Sequence, residues 1–125
     1  MQHWLLVRGR GDRPLERVHA DAVEAHSSTR RPTLEPGDLA VLYASVWQAL
    51  YGIAEVTGPA EHDPSRDRWS WRFPLRPRVV IGDLDLAPAA EEAGVFPTSL
   101  WRHSYIRLTP EQFERARTLI EPRAL

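Results

Sequence analysis

Short blocks of apolar residues, separated by turn-forming residues, predict a chain built mainly from β-strands. The apolar run His3–Arg8 has the length of a strand and predicts one that is buried on both faces. Apolar runs over 38–44 and 49–57 predict two further buried strands, joined by the short connection 45–48. A turn at 36–38 precedes them, because proline presets φ, glycine accepts positive φ and aspartate can bond a nearby backbone amide.

The second half of the chain begins with an alternating pattern. Residues 69–73 alternate between large apolar and polar side chains, which predicts a half-buried strand with both of its tryptophans on one face. Pro74 and Pro77 restrict this region to a sheet edge or a bulge, since proline cannot donate to a strand ladder. The segment 101–108 contains the last predicted strand.

Helical patterns are fewer. Residues 15–25 carry apolar side chains at helical spacing, whereas residues 26–33 are polar and basic and predict a loop. Residues 84–93 are weakly helical. The segment 109–120 opens with Thr-Pro-Glu-Gln, a capping-box pattern that predicts a helix with one apolar face. Together these elements predict an α+β fold, a small and strongly bent mixed β-barrel with two or three helices, and 1–125 as a single domain.

Composition narrows the possible chemistry. The chain has no cysteine, which excludes disulfides, thiolate metal sites and cysteine nucleophiles. It also has no lysine, so Schiff-base and lysine-base mechanisms are excluded and all 16 basic residues are arginines. We expect a cytoplasmic protein, because the N-terminal apolar run is too short for a signal peptide and no apolar stretch is long enough to span a membrane.

The charge balance limits how this chain could bind a polyanion. Its net charge of −1 is low for a protein that grips long duplex DNA through phosphates alone. Binding of nucleic acid would therefore need a local basic patch. The candidates are the pair Arg30 and Arg31 and a later series of arginines, namely Arg66, Arg68, Arg72, Arg76 and Arg78.

Five tryptophans supply the most distinctive side chains. The connection 45–48 holds a hydroxyl, an indole and an amide, which suits a pocket that stacks a flat ring and reads its polar edge. Trp47 is the best cage candidate, since it lies in a predicted turn where a role in the core is harder to justify. Each tryptophan could also simply fill the core of a small barrel, and the same applies to Tyr43.

The order of these segments resembles the EVE domain family of the PUA-like superfamily. Trp4 stands where EVE domains have an N-terminal tryptophan, and Gly37-Asp38 followed by Tyr43-Ala44-Ser45 resembles the family's Gly-Asp…Tyr-x-Ser strand. Gly52-Ile53-Ala54-Glu55-Val56 resembles its Gly-Ile-Ala-x-Val strand. Trp69-Ser70-Trp71-Arg72 resembles its tryptophan-bearing strand, and 102–111 resembles its last strand and C-terminal helix.

The resemblance implies a PUA-like barrel that reads a modified base in DNA or RNA, with methylated or hydroxymethylated cytosine as the leading candidates. One base would be extruded into an aromatic pocket, with no cofactor and no metal, beside a separately encoded nuclease or modification enzyme. The predicted base pocket comprises Trp4, Tyr43, Ser45, Trp47, Trp69 and Ser104. The predicted phosphate contacts are Arg30, Arg31 and Arg102. The family's Gly-Val-Arg-Asn-Tyr-Gln segment is missing from residues 9–34, so the ligand preference of better-known relatives does not carry over.

Two other functions remain open at this point. A small hydrolase acting on a modified nucleoside in the same pocket would need a general acid or base there, and Glu55 is the candidate because it interrupts an apolar strand. An interaction subunit of a defence or RNA-processing complex would instead expose a wide apolar patch. The five histidines are scattered and lack a His-Glu-x-x-His pattern, which argues against a metal site.

Overall fold

A computed structural model describes residues 1–9, 23–96, 100 and 103–124 of the chain. The strands in the described part are β1 (His3–Arg8), β2 (Ala25–Ser28), β3 (Leu39–Ala44), β4 (Ala49–Val56), β5 (Glu61–His62), β6 (Trp71–Val80) and β7 (Tyr105–Arg107). Helix α1 (Pro110–Ile120) follows β7, and short 3₁₀ turns cover Leu84–Leu86, Ala90–Ala93 and Glu121–Arg123. This is the predicted α+β class, with one α-helix in the described residues.

The strands form one curled mixed sheet that closes into a half-barrel. The strand order is β2-β6-β4-β3-β1-β7, and β5 pairs with β6 outside this path. The central strands β1 and β3 are parallel, whereas the other pairings are antiparallel. Because the sheet curls, its two edge strands β2 and β7 approach each other. The histidine side chain of β2 reaches a backbone carbonyl beside β7, with 2.8 Å between His26 Nε2 and Ser104 O.

The register of the central strands assigns side chains to the two faces of the sheet. Trp4, Leu6 and Arg8 of β1 lie beside Ala40, Leu42 and Ala44 of β3, and these side chains share the concave face. His3 lies on the opposite face and stacks on Phe113 of α1, with 4.1 Å between ring centroids. Helix α1 therefore covers the convex face, and the core lies on both sides of β1 and β3 as predicted for fully apolar strands.

The turn before β3 is held by a buried carboxylate. Asp38 accepts hydrogen bonds from Glu35 N at 3.0 Å, Gln2 N at 3.1 Å and Trp4 Nε1 at 2.9 Å. Burial opposes the charged form of Asp38, but the three donors outweigh it and lower the pKa of the carboxyl group. Gly37 has φ of +94°, which the turn requires and glycine permits. Asp38 thus ties the start of β3 to the start of β1.

Strand β6 tolerates two prolines for the reason expected from the sequence. Beyond Pro74 it pairs with β4 alone, so Pro77 lies in a part of the strand that is paired on one side only. The register with β4 also shifts between Ile53 and Ala54, beside Pro77. The predicted alternation from residue 69 is wrong at its start, because Trp69 has φ of +52° and the strand begins at Trp71.

Helix α1 begins with the predicted capping box. Thr109 Oγ1 accepts from Gln112 N at 3.1 Å, and Gln112 Oε1 accepts from Thr109 N at 3.0 Å. Pro110 occupies the first turn, where its missing N–H has no intrahelical partner in any case. Phe113, Ala116 and Ile120 are buried against the sheet, which confirms the predicted apolar face.

Two predictions concern the segment after β1. Most of the predicted helix 15–25 lies outside the described residues, but its last residue belongs to strand β2. The predicted loop 26–33 is wrong for residues 26–28, which complete that strand. The strand has no apolar run because its inward side chains, His26 and Ser28, are polar groups that find hydrogen-bond partners in the interior.

Candidate functional site

A buried polar cluster lies where the two sheet edges meet. It is formed by Arg8 at the end of β1, His26 of β2, Tyr51 of β4 and the backbone carbonyl of Ser104 just before β7. His26 is 6% exposed and Tyr51 is 1% exposed, whereas Arg8 is half-buried. The cluster therefore extends from the interior of the half-barrel toward its open end.

The contacts of His26 fix its tautomer. Arg8 Nη1 lies 3.5 Å from His26 Nδ1, and arginine carries donors only, so Nδ1 is the acceptor. Nε2 then holds the proton and donates to the carbonyl of Ser104 at 2.8 Å. Burial and, to a smaller extent, the nearby Arg8 charge lower the pKa of His26 to about 3, although the bond to Ser104 acts in the opposite direction. His26 is thus a neutral bridge between the edge strands.

Arg8 is held so that its guanidinium faces the interior. Its Nη1 donates to the carbonyl of Ala25 at 3.0 Å and contacts His26. It also interacts with Tyr51, whose pKa burial raises to about 12 despite the opposing effect of the Arg8 charge. No carboxylate of the described residues lies within ion-pair distance of Arg8. A guanidinium in this position can donate to a ligand that carries adjacent acceptors.

A bulge places Tyr51 in this cluster. Leu42 lies opposite Gly52 and Tyr43 lies opposite Leu50, which leaves Tyr51 without a partner in the ladder. Such an extra residue can turn a side chain away from the regular alternation. The side chain of Tyr51 accordingly reaches Arg8 rather than following the pattern of an unbroken strand.

The turn 45–48 adjoins the cluster through the backbone. Ser45 N donates to the carbonyl of Arg8 at 2.8 Å, so the turn starts directly beside the end of β1. Gln48 has φ of +51°, and its carbonyl accepts from Ala90 N at 3.0 Å, which anchors the far end of the turn. Val46 and Trp47 are exposed, and 39% of the Trp47 surface is accessible. The predicted turn with its accessible indole is therefore present next to the polar cluster.

An aromatic row leads outward from His26 along the concave face. His26 packs against Phe73 of β6, with 5.6 Å between ring centroids. Trp71 lies two residues before Phe73 and so shares its face of the strand. The ring centroids of Trp71 and His62 lie 4.7 Å apart, and the guanidinium of Arg31 lies 5.8 Å from the centroid of the Trp71 ring. Tyr105 Oη donates to the carbonyl of Arg31 at 3.4 Å, which links this row to β7.

The structure brings together part of the predicted site. Ser45 and Ser104 are half-buried and flank the end of β1 from the β3 side and the β7 side, and Val7 N donates to Ser104 O at 3.0 Å. Arg30 and Arg31 are exposed near Tyr105. Arg102 lies outside the described residues.

Other predicted pocket residues lie apart from the cluster. Trp4 is 5% exposed, and its indole is bonded to Asp38 at the opposite end of β1, roughly 13 Å from Arg8 along the strand. Tyr43 is 3% exposed and lies in register with Val7, on the other face from Arg8. Trp69 is half-buried outside the strand, and Arg68 lies 4.6 Å from its ring centroid. Trp4 and Tyr43 therefore have core positions that account for their burial.

Four residues of the site were not among the predicted ones: Arg8, His26, Tyr51 and Trp71. A charge at the end of an apolar strand was the only local signal for Arg8, and Trp71 was grouped with Trp69 by the apparent alternation. His26 and Ser104 are separated by 78 residues, so no sequence pattern indicates their contact.

A second depression lies on the opposite, helix-covered face. Its volume is about 340 Å³, and it is lined by apolar residues of β3, β4, β6 and α1 together with Glu55, Arg78, Arg117 and Glu121. Glu55 pairs with Arg78 and with Arg76, at 3.4 Å for the latter. The hydrogen bond from Arg78 lowers the pKa of Glu55, so this carboxylate stays ionised. Glu55 does not share a site with Arg8 and His26, in contrast to the requirement of the hydrolase hypothesis.

The described ranges contain neither a cluster of metal ligands nor a helix that could span a membrane. Within them, no three histidine, aspartate or glutamate side chains come together as metal ligands. None of the helices in the same ranges is long and apolar enough to cross a bilayer.

Comparison with solved structures identifies chains of the same architecture. The human THYN1 protein, determined in complex with DNA that contains 5-methylcytosine, has a TM-score of 0.65 at 15% identity, covering 97% of this chain and 98% of THYN1. Rpa0253 from Rhodopseudomonas palustris has a TM-score of 0.64 at 17% identity, with 95% and 92% coverage. A tyrosine-to-phenylalanine variant of the ZmASCH protein from Zymomonas mobilis has a TM-score of 0.61 at 14% identity, with 95% and 99% coverage.

These similarities establish the fold. No protein-family model and no curated protein sequence matches the chain. At identities below 20%, likeness over nearly the whole length shows a shared architecture and leaves function to be argued from the site. The predicted small α+β fold with a strongly bent mixed sheet is confirmed.

Proposed function

We propose that this protein is a non-enzymatic binding module that recognises one modified base, such as 5-methyl- or 5-hydroxymethylcytosine, in DNA or RNA. The observation that carries the proposal is the likeness, over almost the full length of both chains, to THYN1 bound to DNA containing 5-methylcytosine. The local chemistry supports it, because an accessible indole, a serine and a guanidinium that has no ion pair with a described carboxylate lie close together at the end of β1.

Each of these groups has a distinct role in the proposal. Trp47 stacks on the extruded base, a contact that contributes about 1–3 kcal/mol in other single-strand binders. Arg8 donates to the adjacent O2 and N3 acceptors of a cytosine, while the donors to Ala25 and His26 keep the guanidinium in place. Ser45 supplies a hydroxyl that can donate or accept at the remaining polar edge. Arg30 and Arg31 contact the flanking phosphates.

A binding role accounts for the site better than hydrolysis does. Among the described residues, the charged and titratable groups in the cluster are Arg8, His26 and Tyr51, and His26 already contacts both Arg8 and Ser104. The carboxylate of the enzyme hypothesis, Glu55, lies on the other face and is paired with arginines. A nuclease or modification enzyme that acts on the recognised strand would then be a separate protein.

The test is a titration with short DNA and RNA strands that carry cytosine, 5-methylcytosine or 5-hydroxymethylcytosine at one position. We expect saturable quenching of tryptophan fluorescence by one modified strand at a lower concentration than by its unmodified counterpart. Trp47→Ala should weaken binding of that strand roughly 5- to 150-fold, whereas Trp47→Phe should retain much of it because a ring remains.

Matched arginine variants separate base reading from general charge. Arg8→Lys keeps the charge but loses the planar fork, so we expect it to reduce discrimination between modified and plain strands. Arg115→Lys makes the same change at an exposed position of α1 and should leave binding unchanged. Equal, salt-sensitive binding of every strand by the unaltered protein would refute base reading.

A further inference from the structure

Three strands end together beside the proposed base site. Ser28 at the end of β2 pairs with Trp71 at the start of β6, and His62 at the end of β5 pairs with the same Trp71. The segment after β2, with Arg30 and Arg31, and the loop 63–70 therefore emerge from the same end of the sheet. We call the exposed arginines of these two segments the hairpin surface: Arg30, Arg31, Arg66 and Arg68.

Local contacts hold the first two arginines of the hairpin surface. Ser28 Oγ bonds both the amide and the carbonyl of Arg30, which fixes the backbone directly after β2. Arg31 lies over the ring of Trp71, and its carbonyl is bonded by Tyr105. A planar guanidinium stacks well on an aromatic face while its edge donors stay available.

The loop 63–70 is ordered in a similar way. The carboxylate of Asp63 accepts from Ser65 N at 3.0 Å and from Ser65 Oγ at 2.6 Å, and the carbonyl of Asp63 accepts from Arg66 N at 3.3 Å. Arg68 stacks on the ring of Trp69 at 4.6 Å. Ordering these side chains before binding reduces the entropy that is lost when they engage a ligand.

The four arginines of the hairpin surface form no ion pair with a carboxylate of the described residues, although the charges of Arg66 and Asp63 interact at longer range. All four ion pairs among the described residues belong to Arg76, Arg78 and Arg117, on the β4, β6 and α1 side. Segments 28–31 and 61–72 together carry five arginines and three carboxylates, whereas 110–123 carries three arginines and three glutamates. Arg76 and Arg78, which the sequence placed in the same basic series, are both paired with Glu55.

We propose that the hairpin surface binds the phosphodiester backbone of the strand that flanks the extruded base. This inference rests on the proposed function for its choice of partner, and it adds the loop 63–70 to the nucleic-acid contact. The aromatic row from His26 through Phe73 to Trp71 connects the base site with this surface along one face of the sheet. A phosphate chain leaving the base site in this direction would meet Arg31 first and then the loop arginines.

The test measures binding of single-stranded DNA and RNA of 12 nucleotides, each with cytosine or one modified cytosine at the same position, by fluorescence anisotropy at several salt concentrations. The double variant Arg66→Gln/Arg68→Gln should weaken binding of all strands about tenfold and by the same factor, modified or not. The slope of log K against log salt should become less steep by about 1.4, since each lost phosphate contact accounts for about 0.7 on a single strand. The matched control, Arg115→Gln/Arg123→Gln, removes the same charge from the α1 side and should change neither quantity.

The outcomes separate this inference from the proposed function. If the loop variant and the control bind equally and with the same salt slope, the hairpin surface is not a backbone contact, whatever the base preference. The unaltered protein could show no base preference while the loop variant still has a lower affinity and a smaller salt slope. This result would support the hairpin surface as a backbone contact and would refute recognition of a modified base. A loss of affinity for DNA alone, or for RNA alone, would support the hairpin surface as a backbone contact and would identify that polymer as its ligand.

Discussion

Protonation of His26 should destabilise this protein in mildly acidic solution. The neutral ring donates to Ser104 and accepts from Arg8, and a second proton would place a buried cation directly beside that guanidinium. The folded-state pKa of about 3 lies below the ordinary histidine value of 6.5, so the unfolded chain binds more protons between these values. Stability is therefore fully present above pH 6.5 and falls as the pH decreases toward 3.

The size of this effect follows from the two pKa values of His26. Between pH 7 and pH 5 the unfolded state gains most of one proton and the folded state gains almost none, which corresponds to a loss of about 2 kcal/mol. Between pH 7 and pH 5 the carboxyl groups of Asp38, Glu55 and Glu114 add little to the change in stability. Their pKa values are lowered, so their stabilising contribution is lost only in stronger acid. Urea unfolding followed by tryptophan fluorescence at both pH values measures the difference.

A matched variant isolates the contribution of this ring. His26→Gln has an amide nitrogen that can reach Ser104 O and an oxygen that can accept from Arg8, but it cannot titrate. We expect its unfolding free energy to change much less between pH 7 and pH 5 than that of the unaltered protein, whatever its absolute stability. His62→Gln, at an exposed position, should keep the full change. Equal pH dependence in the unaltered protein and in His26→Gln would refute the assigned tautomer and its energetic consequence.

Three further predictions concern the fold, each measured as a urea-unfolding free energy at pH 7. Asp38→Ala should cost about 1–3 kcal/mol, because it leaves the buried indole N–H of Trp4 and two backbone amides without an acceptor; exposed Asp67→Ala should be nearly neutral. Gly52→Ala should cost about 1–3 kcal/mol, since the new Cβ would lie 2.6 Å from a backbone oxygen, and a stable variant would show that β6 can shift. Thr109→Ala should cost about 1 kcal/mol through the lost helix cap, and an unchanged midpoint would contradict that role.

The sequence predicted those helices and strands whose formation depends mainly on neighbouring residues. The capping box at Thr109 and the apolar strands β1, β3 and β4 need only neighbouring residues, and they appear at nearly the predicted positions. Strand β2 could not be found in this way. Its four residues are Ala-His-Ser-Ser, and its buried histidine is satisfied by Ser104, a group that is 78 residues away in the sequence.

The sequence predicted the turn beside the candidate site, but it did not predict the buried polar cluster. The connection 45–48 revealed Ser45 and Trp47 through sequence order alone. Tyr51 reaches the site through a bulge, which no sequence pattern indicated, and Trp69 leaves its strand through a positive φ, so alternation misassigned Trp69. A one-residue irregularity reverses the face of a side chain, and periodic patterns do not detect such irregularities.

The distribution of arginines explains how a chain of net charge −1 can have a surface suited to a polyanion. On the β4, β6 and α1 side, Arg76, Arg78 and Arg117 form salt bridges with Glu55, Glu114 and Glu121. The hairpin surface and Arg8 have no ion pair with a described carboxylate. Because exposed charges are screened beyond about 8–10 Å at physiological salt, a phosphate near the hairpin surface experiences the local arginines more than the net charge. A nucleic acid should therefore approach from the open end of the half-barrel, where its flanking phosphates and one extruded base can be bound together.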